Sequence, residues 1–524
     1  MTASLYERDE RIRKLEQDLA LLKKEFLGGR TSFDGASATT MSPMASGEGD
    51  GPPPDERREA VPNIALDHEK GELRFVRWKE FRTRFLGPHS AAMALTELTE
   101  LSPFVKETAD ELFKAMSLQE SKNRKKGEEV REALELRSDP VLEGLLPTKE
   151  EANALVTLYL DVCEQLHRIV HIPTFRRDYA QFWAPVEVRR PGARRAAFTA
   201  LVLAIISISS ALYSTPNVKF VGMLSDNHRS AVNWVKAVDD WLMRQSQKHR
   251  KLIHFQISCL LYLGKRVNTI KKKRFWTGSG ALIQDGISLG LHRSTMHMAG
   301  KMSAYNQEMR RRIWATVQEL DMQASFDFGL PTALSQLHYD VAAPSNLDDS
   351  QFDESSDELP QSKPSLDYTF SSYQHLSRQS LPLRLELSRF LYGPPGQSDY
   401  EEVVRYTEAL QREISNLPAW DDVTSSSQSP KRPILAYTML HIQLRQYMLP
   451  LHGQYVKLAK ANSRYEFSER ASYEAARDII SLHNKLYDQG IQALNFVRED
   501  LVNNAIKLCS VTLRQPRGTF FSGS

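Results

Sequence analysis

Three aspartates, Asp348, Asp349 and Asp353, crowd one short stretch of this chain. Carboxylates at such spacing can hold a divalent metal on a diphosphate. The segment around them, YDVAAPSNLDDSQFDESSDELPQSKPSLDY, is rich in proline and serine and has no helical apolar stripe. No second motif of the kind follows, so the metal role is the less favoured reading. His167 and His171 stand four apart, the spacing of two ligands on one helix. A third ligand is missing and HExxH does not occur, so they read as packing histidines at a helix end. Lys271-Lys272-Lys273-Arg274 directly precedes Phe275 and Trp276. Cations beside aromatics can grip single-stranded nucleic acid. The plainer reading, a loop before a helix with Trp276 turned into the core, is preferred. Lys122-Asn123-Arg124-Lys125-Lys126 has the look of a nuclear localisation signal or phosphate patch. Glu128, Glu129 and Glu132 follow at once and cancel its field, which favours a solvated linker. Gly278, Gly280 and Gly286 do not form a phosphate loop, because no strand precedes them and no Gly-Lys-Ser/Thr follows. They suit close helix approach instead. No GxSxG elbow occurs, and no nucleophile set is marked by local context. The expectation is a chain with no catalytic and no metal-ligating residues.

The elements that carry these residues read as helices. The 524 residues suffice for a large core in two helical layers or sub-domains. An apolar share of 41% with 25% charged residues is that of an ordinary soluble protein. A net charge of +3 is close to neutral at this size, so nucleic-acid binding would need a local basic patch. Cys163, Cys259 and Cys509 lie far apart with no CxxC pair, which argues against a structural zinc site and for a reducing compartment. The apolar run from Ala196 to Tyr213 contains three serines and a threonine and reads as a buried helix, not a membrane span.

Two stretches organise the chain: FWTGSGALIQDGISLGLHRS from Phe275 and EMRRRIWATVQELDMQASFDFGLPTALS from Glu308. Gly290 stands where a helix stop wants positive φ, and Leu291 can fold back on the last turn. Met309, Ile313, Val317, Leu320 and Ala324 recur at the spacing of one buried face. Arg310, Arg311 and Arg312 crowd what reads as the first turn, the wrong charge for a helix N-terminus. Asp321 sits beside the apolar face. The expectation is that one or more of these arginines tie Asp321 or Asp285 into the core. Gly329-Leu330-Pro331 ends the helix. Upstream, Thr148 and Glu151 form a capping box. Leu155, Leu158, Val162, Leu166 and Ile169 then share a face, Pro173 breaks the helix, and Phe175, Tyr179 and Phe182 begin the next.

At the N-terminus, Leu5, Ile12, Leu19 and Phe26 fall seven apart, with Leu15 and Leu22 on the alternate seam. This predicts a short dimerising coiled coil over 1–27, in which Arg11 faces Glu16 and Asp18 faces Lys23 of a partner. Residues 28–62 read as a disordered linker. The expected order continues with an N-terminal helical part over 63–144, a core over 145–340, an acidic loop over 341–380 and a C-terminal helical part over 381–524.

Several of these segments together resemble one family. RTRFLGPHSAA at Arg82 to Ala92, the block from Leu146 to Phe175, the helix pair just described and the loop SNLDDSQFDE are similar, in order, to the fungal-specific transcription factor domain. That domain is the middle homology region of binuclear zinc-cluster transcription factors. The resemblance implies an all-α, irregular multi-helix regulatory domain preceded by a short coiled coil and a disordered linker. It implies a nuclear regulator of RNA polymerase II transcription that pairs as a homodimer or heterodimer and answers to a small-molecule effector or partner, with no membrane. It also makes Pro173, Phe175, Gly290, Leu291, His292, Arg310, Arg311, Trp314, Asp321, Gly329 and Pro331 structural motif residues. The family's DNA contact is a six-cysteine zinc cluster, and no cysteine precedes Cys163. DNA and zinc are therefore expected only through a missing cluster or a partner, and an incomplete gene model is the expected reason. The second reading is a cluster-less interaction protein that modulates an intact zinc-cluster factor. A magnesium-dependent isoprenoid-type enzyme is a distant third.

Overall fold

The computed structural model describes residues 136–491 apart from 214–219, 222–223, 246–250, 296–301, 394–398, 421–431 and 460, together with residue 506. The heptad of 1–27, the linker 28–62, the part over 63–135 with its 122–126 basic run, and Cys509 lie outside these residues. The helices, in chain order, are α1 (Pro140–Glu143), α2 (Lys149–Leu158), α3 (Glu164–His167), α4 (Ile172–Phe182), α5 (Ala196–Ser209), α6 (Asp226–Met243), α7 (Leu252–Val267), α8 (Phe275–Ser288), α9 (Ala304–Phe328), α10 (Ser372–Leu391), α11 (Tyr400–Ser415), α12 (Pro433–Arg445), α13 (Met448–Leu458) and α14 (Glu466–Asp488). Among the described residues the one strand pairing is a two-residue antiparallel ladder, Phe220–Val221 with Leu224–Ser225. The fold is all-α.

The first half is built around α5. Its sequence AAFTALVLAIISIS is apolar on every side, so it has no face to offer water. Every residue from Phe198 to Ser209 is buried. Helices α2, α6 and α7 pack around it. Its serines are satisfied within the helix, as where Ser207 Oγ donates to the Ala204 carbonyl at 2.7 Å. Helix α7 comes in close at Gly264, where a Cβ would stand 2.8 Å from Ser207 Oγ. No described helix is long and apolar enough to cross a membrane.

Local signals place most helix ends. Thr148 Oγ1 accepts from the Glu151 N–H at 3.3 Å and starts α2. Gly290 adopts φ 71°, and the Leu291 N–H returns to the Gly286 carbonyl at 2.9 Å, which buries Leu291. Gly329 does the same for α9 with φ 64°, and the Leu330 N–H reaches the Ser325 carbonyl at 3.0 Å. Both are six-to-one closures that satisfy orphan carbonyls.

Four expectations change. The helix from Thr148 is not uniform: a single π turn, Tyr159–Cys163, interrupts it, and Arg168 ends it in the left-handed region at φ 47°. Pro173 is therefore not the breaker. It lies in the first turn of α4, where its missing N–H costs no hydrogen bond. Helix α9 begins at Ala304, capped by Ser303, so the three arginines fall a turn or more inside it and the dipole objection lapses. It is also buried on nearly every side, not on one face. The stretch expected as a loop to residue 380 ends early, because α10 begins at Ser372. Tyr373, Leu376, Leu381, Leu385 and Leu387 are its buried apolar positions, and intervening serines had masked their period.

The second half packs α10, α11, α13 and α14 around α12. Helices α3 and α9 touch α10 and join the halves. One hydrophobic cluster runs from Leu142 to Ile491, so the described core is continuous.

Candidate functional site

Where α3, α9 and the 345–352 segment meet, four charged side chains are packed out of water. The left-handed residue Arg168 and Arg312 of α9 both have side chains of zero exposure. Both reach Oδ1 of Asp349, Arg312 from 2.6 Å. The second carboxylate oxygen accepts from the Ile172 N–H at 2.8 Å, the first residue of α4. On its other side Arg312 Nε donates to Glu308 Oε1 at 3.2 Å, and that oxygen also takes the Ser345 N–H at 3.0 Å. The Phe352 ring covers the Arg312 guanidinium at 4.9 Å. Two cations thus face two anions, and each anion also accepts a backbone N–H, while Arg168 Nε and Nη1 and Arg312 Nη2 have no acceptor among the described residues.

Burial alone would push the Asp349 carboxyl up. The guanidinium groups of Arg168 and Arg312 overcome this and hold it far below the usual carboxylate range. Glu164 behaves in the opposite sense. Burial raises its carboxyl to about 8, against the lowering pull of the nearby Arg168 charge. It accepts from Tyr159 Oη at 2.8 Å and from the Val170 N–H at 2.7 Å, which fixes the turn that presents Arg168. Gln374 of α10 donates to the carbonyls of His167 and Arg312, at 2.9 and 3.1 Å, and links the junction to the second half.

The arginine triplet divides. Arg312, which lies outside the motif set expected from the sequence, is the fully buried member. Its signal was the Glu308–Arg312 spacing of four on a helix. Arg311 is half-buried and reaches Glu308 at 3.3 Å, while Arg310 donates to the Leu289 carbonyl at 2.7 Å. The expected arginine–Asp321 pair does not form. Asp321 is buried, but it accepts from Ser279 Oγ at 2.9 Å, from Thr332 Oγ1 and from the Ala333 N–H at 2.9 Å. Burial pushes its carboxyl up, and these donors offset that only in part. It stitches α8, α9 and the segment after Pro331 together. Asp321→Ala strands three donors and should cost about 3 kcal/mol of stability. Thermal melting reads this, and an unchanged midpoint would show that the three donors find other acceptors.

The remaining motif residues are scaffold. Phe175 is buried against Phe198 at 5.8 Å between ring centres. His292 and Trp314 are buried with ring centres 6.1 Å apart, and burial lowers the His292 imidazole to about 4. Exposed Pro331 offers its carbonyl to Trp276 Nε1 at 3.0 Å. Trp276 is only half-buried, so Phe275, not Trp276, is the aromatic turned into the core. Of the three glycines, only Gly286 makes a close approach. A Cβ there would stand 3.0 Å from Trp314 Cζ3, whereas Gly280 faces open space.

The three aspartates do not converge. Asp349 belongs to the arginines, Asp348 takes Lys363 Nζ at 3.2 Å and the Phe370 N–H at 3.1 Å, and Asp353 is exposed and bonded to Ser355. His171 caps α4 and meets the Asp349 carbonyl at 2.9 Å, and burial lowers His167 to about 4. Among the described residues no three His, Cys, Asp or Glu side chains are grouped to hold a metal. Cys163 and Cys259 are buried free thiols, pushed up by burial, which does not suit zinc thiolates. Beside the junction, His167, Arg266, Glu319, Tyr373, Arg384 and Gln443 line a cavity of about 30 Å3, room for a water molecule or so. Arg384 grips Glu319 there with two bonds, 2.8 and 2.6 Å.

Residues 156–445, which contain the whole charge junction, match the fungal specific transcription factor domain. The chain belongs to this family. Transcription factor opdR of Penicillium oxalicum is 32% identical over 354 residues, 66% of this chain and 43% of that protein. Transcription factor lepE of Aspergillus flavus is 29% identical over 346 residues, 65% of this chain and 40% of that protein. Equisetin cluster transcription factor eqxF of Fusarium heterosporum is 25% identical over 362 residues, 67% of this chain and 50% of that protein. The chain spans about two fifths of the length of the first two. No solved structure matches it. In this fungal transcription factor domain the junction keys the segment before α4 and the loop before α10 onto α9. It is a lock between helices and offers no reacting atom to a substrate.

Proposed function

We propose that this chain is the regulatory region of a fungal RNA polymerase II transcription factor, acts in the nucleus and is not an enzyme. The observation that carries the reading is the family match across the keyed core. A continuous helical core whose halves are locked by buried ions has discrete packings, not a continuum of them, and is suited to switching. An effector or a partner protein would act by favouring one packing. Pairing through Leu5, Ile12, Leu15, Leu19, Leu22 and Phe26 would supply the dimer. DNA would be reached through a zinc cluster that three cysteines cannot build, or through a partner that carries one. Target genes in a dedicated cluster would fit the name of the Fusarium heterosporum relative.

The second reading is a modulator that pairs with an intact zinc-cluster factor. Tethering separates the two. Fused to an unrelated DNA-binding domain in a fungal reporter strain, a regulatory region changes reporter output several-fold. A modulator leaves the tethered reporter unchanged but lowers the output of a co-expressed zinc-cluster factor. An expressed, tethered chain with neither effect would sink both.

A further inference from the structure

The basic run between α7 and α8 is a rigid, exposed cationic knob. Lys271, Lys272, Lys273 and Arg274 are all exposed. Thr269 and Lys271 hold left-handed backbones at φ 55° and 54°, and Lys272–Arg274 is one 3-10 turn. The turn is closed by the Ile270 N–H to the Lys265 carbonyl and the Arg274 N–H to the Lys271 carbonyl, both at 2.8 Å. Nearby carboxylates are already committed. Asp239 takes Lys265 at 2.8 Å and Asp327 takes Arg266 at 2.6 Å. The first turn of α8 carries no acidic residue. Lys271, Lys273 and Arg274 form no ion pair within the described residues. Side by side and uncompensated, these charges repel one another, and an anionic partner would relieve that.

The surroundings choose among anions. Single-stranded nucleic acid wants free aromatic faces for its bases. Phe275 is buried, and Trp276 is half-buried with its N–H committed to Pro331. A receptor that reads basic peptides in extended form would have to unwind the hydrogen-bonded turn. The outside of a duplex needs only fixed positive charge, and lysines serve there as point charges without base preference. We propose that Lys271–Arg274 contacts the phosphates of duplex DNA and gives this domain a sequence-independent, salt-sensitive affinity. This is independent of any zinc cluster and of the tethering experiment above.

The test uses the full chain and a short fluorescein-labelled duplex of arbitrary sequence, read by anisotropy between about 50 and 200 mM salt. The K271Q/K273Q/R274Q variant should bind more weakly on every sequence. Its slope of log affinity against log salt should fall by about 2.7. The single K273Q variant, which leaves both left-handed residues in place, should lower the slope by about 0.9. Failure of the unaltered chain to bind at the lowest salt would overturn the proposal. Unchanged slopes in both variants would also overturn it, as would equal losses in K122Q/R124Q/K125Q alone. Polyglutamate competing as well as duplex, charge for charge, would point to an acidic protein instead and would equally overturn it.

Discussion

Asp349→Ala should lower the stability of the domain by about 3–5 kcal/mol, because it leaves two buried guanidinium groups facing each other without their anion. Arg168 and Arg312 have no exposed side-chain surface and cannot turn out to water. The change also strands the Ile172 N–H at the start of α4. Asp353→Ala, four residues on, is the control: that carboxylate is exposed, and its loss should stay within about 0.5 kcal/mol. Chemical denaturation of the three proteins reads the difference. A pH series adds the sign. The Asp349 carboxyl is depressed in the folded state, so its contribution is fully present above the ordinary carboxylate value near pH 4. It is lost as pH falls below that value toward the folded one. The unaltered protein should therefore lose more stability in acid than Asp349→Ala, which lacks this contribution but keeps the other paired carboxylates. Equal stability of Asp349→Ala and Asp353→Ala at pH 7 would mean that water reaches the junction.

Trp314→Ala should cost a similar amount, about 3–5 kcal/mol, through the cavity it leaves at the centre of the core. Trp314 is among the largest fully buried side chains, and its indole N–H has no acceptor among the described residues. It is there for volume. Its counterpart is Gly286 of α8, where an added Cβ would meet Cζ3 and Cε3 at 3.0 and 3.3 Å. Gly286→Ala alone should cost about 1–3 kcal/mol by overpacking. Trp314→Phe removes both of those ring atoms. The double variant should therefore be less damaged than the sum of the singles by at least about 1 kcal/mol. Melting and denaturant midpoints of the four proteins close the cycle. Strict additivity would show that the glycine is not set by the tryptophan.

The structure separates two kinds of information in the chain. The helix stops at Gly290 and Gly329 and the start at Thr148 were legible, because each depends on residues within one or two turns. So was the buried α5, since an apolar surface on all sides leaves a helix no exposed option. The burial of Met309, Ile313, Val317, Leu320 and Ala324 followed from helical period alone. The π turn at Tyr159–Cys163 and the left-handed Arg168 had no local signature. Glu164 ties them together by accepting from Tyr159 Oη and the Val170 N–H, and Asp349 holds Arg168 from a distant segment.

Which charges would pair was beyond sequence reasoning. Asp349 stood in a segment of aspartates, prolines and serines, the composition of a solvated loop, yet it is among the most enclosed carboxylates in the chain. Its partner Arg168 is 181 residues away along the chain. Asp321 was expected to need an arginine, and three hydroxyl and amide donors serve instead. Spacing along a chain can show that a buried ion needs a partner, because desolvation is a property of the residue and its face. The partner's identity depends on which distant segments the fold brings within 3 Å or so, and hydrogen bonds act only at that range. By itself, then, the sequence determined an all-α chain, its helix stops, its apolar faces and its kinship. Only the tertiary structure decided that Arg168, Glu308, Arg312 and Asp349 form one locked junction.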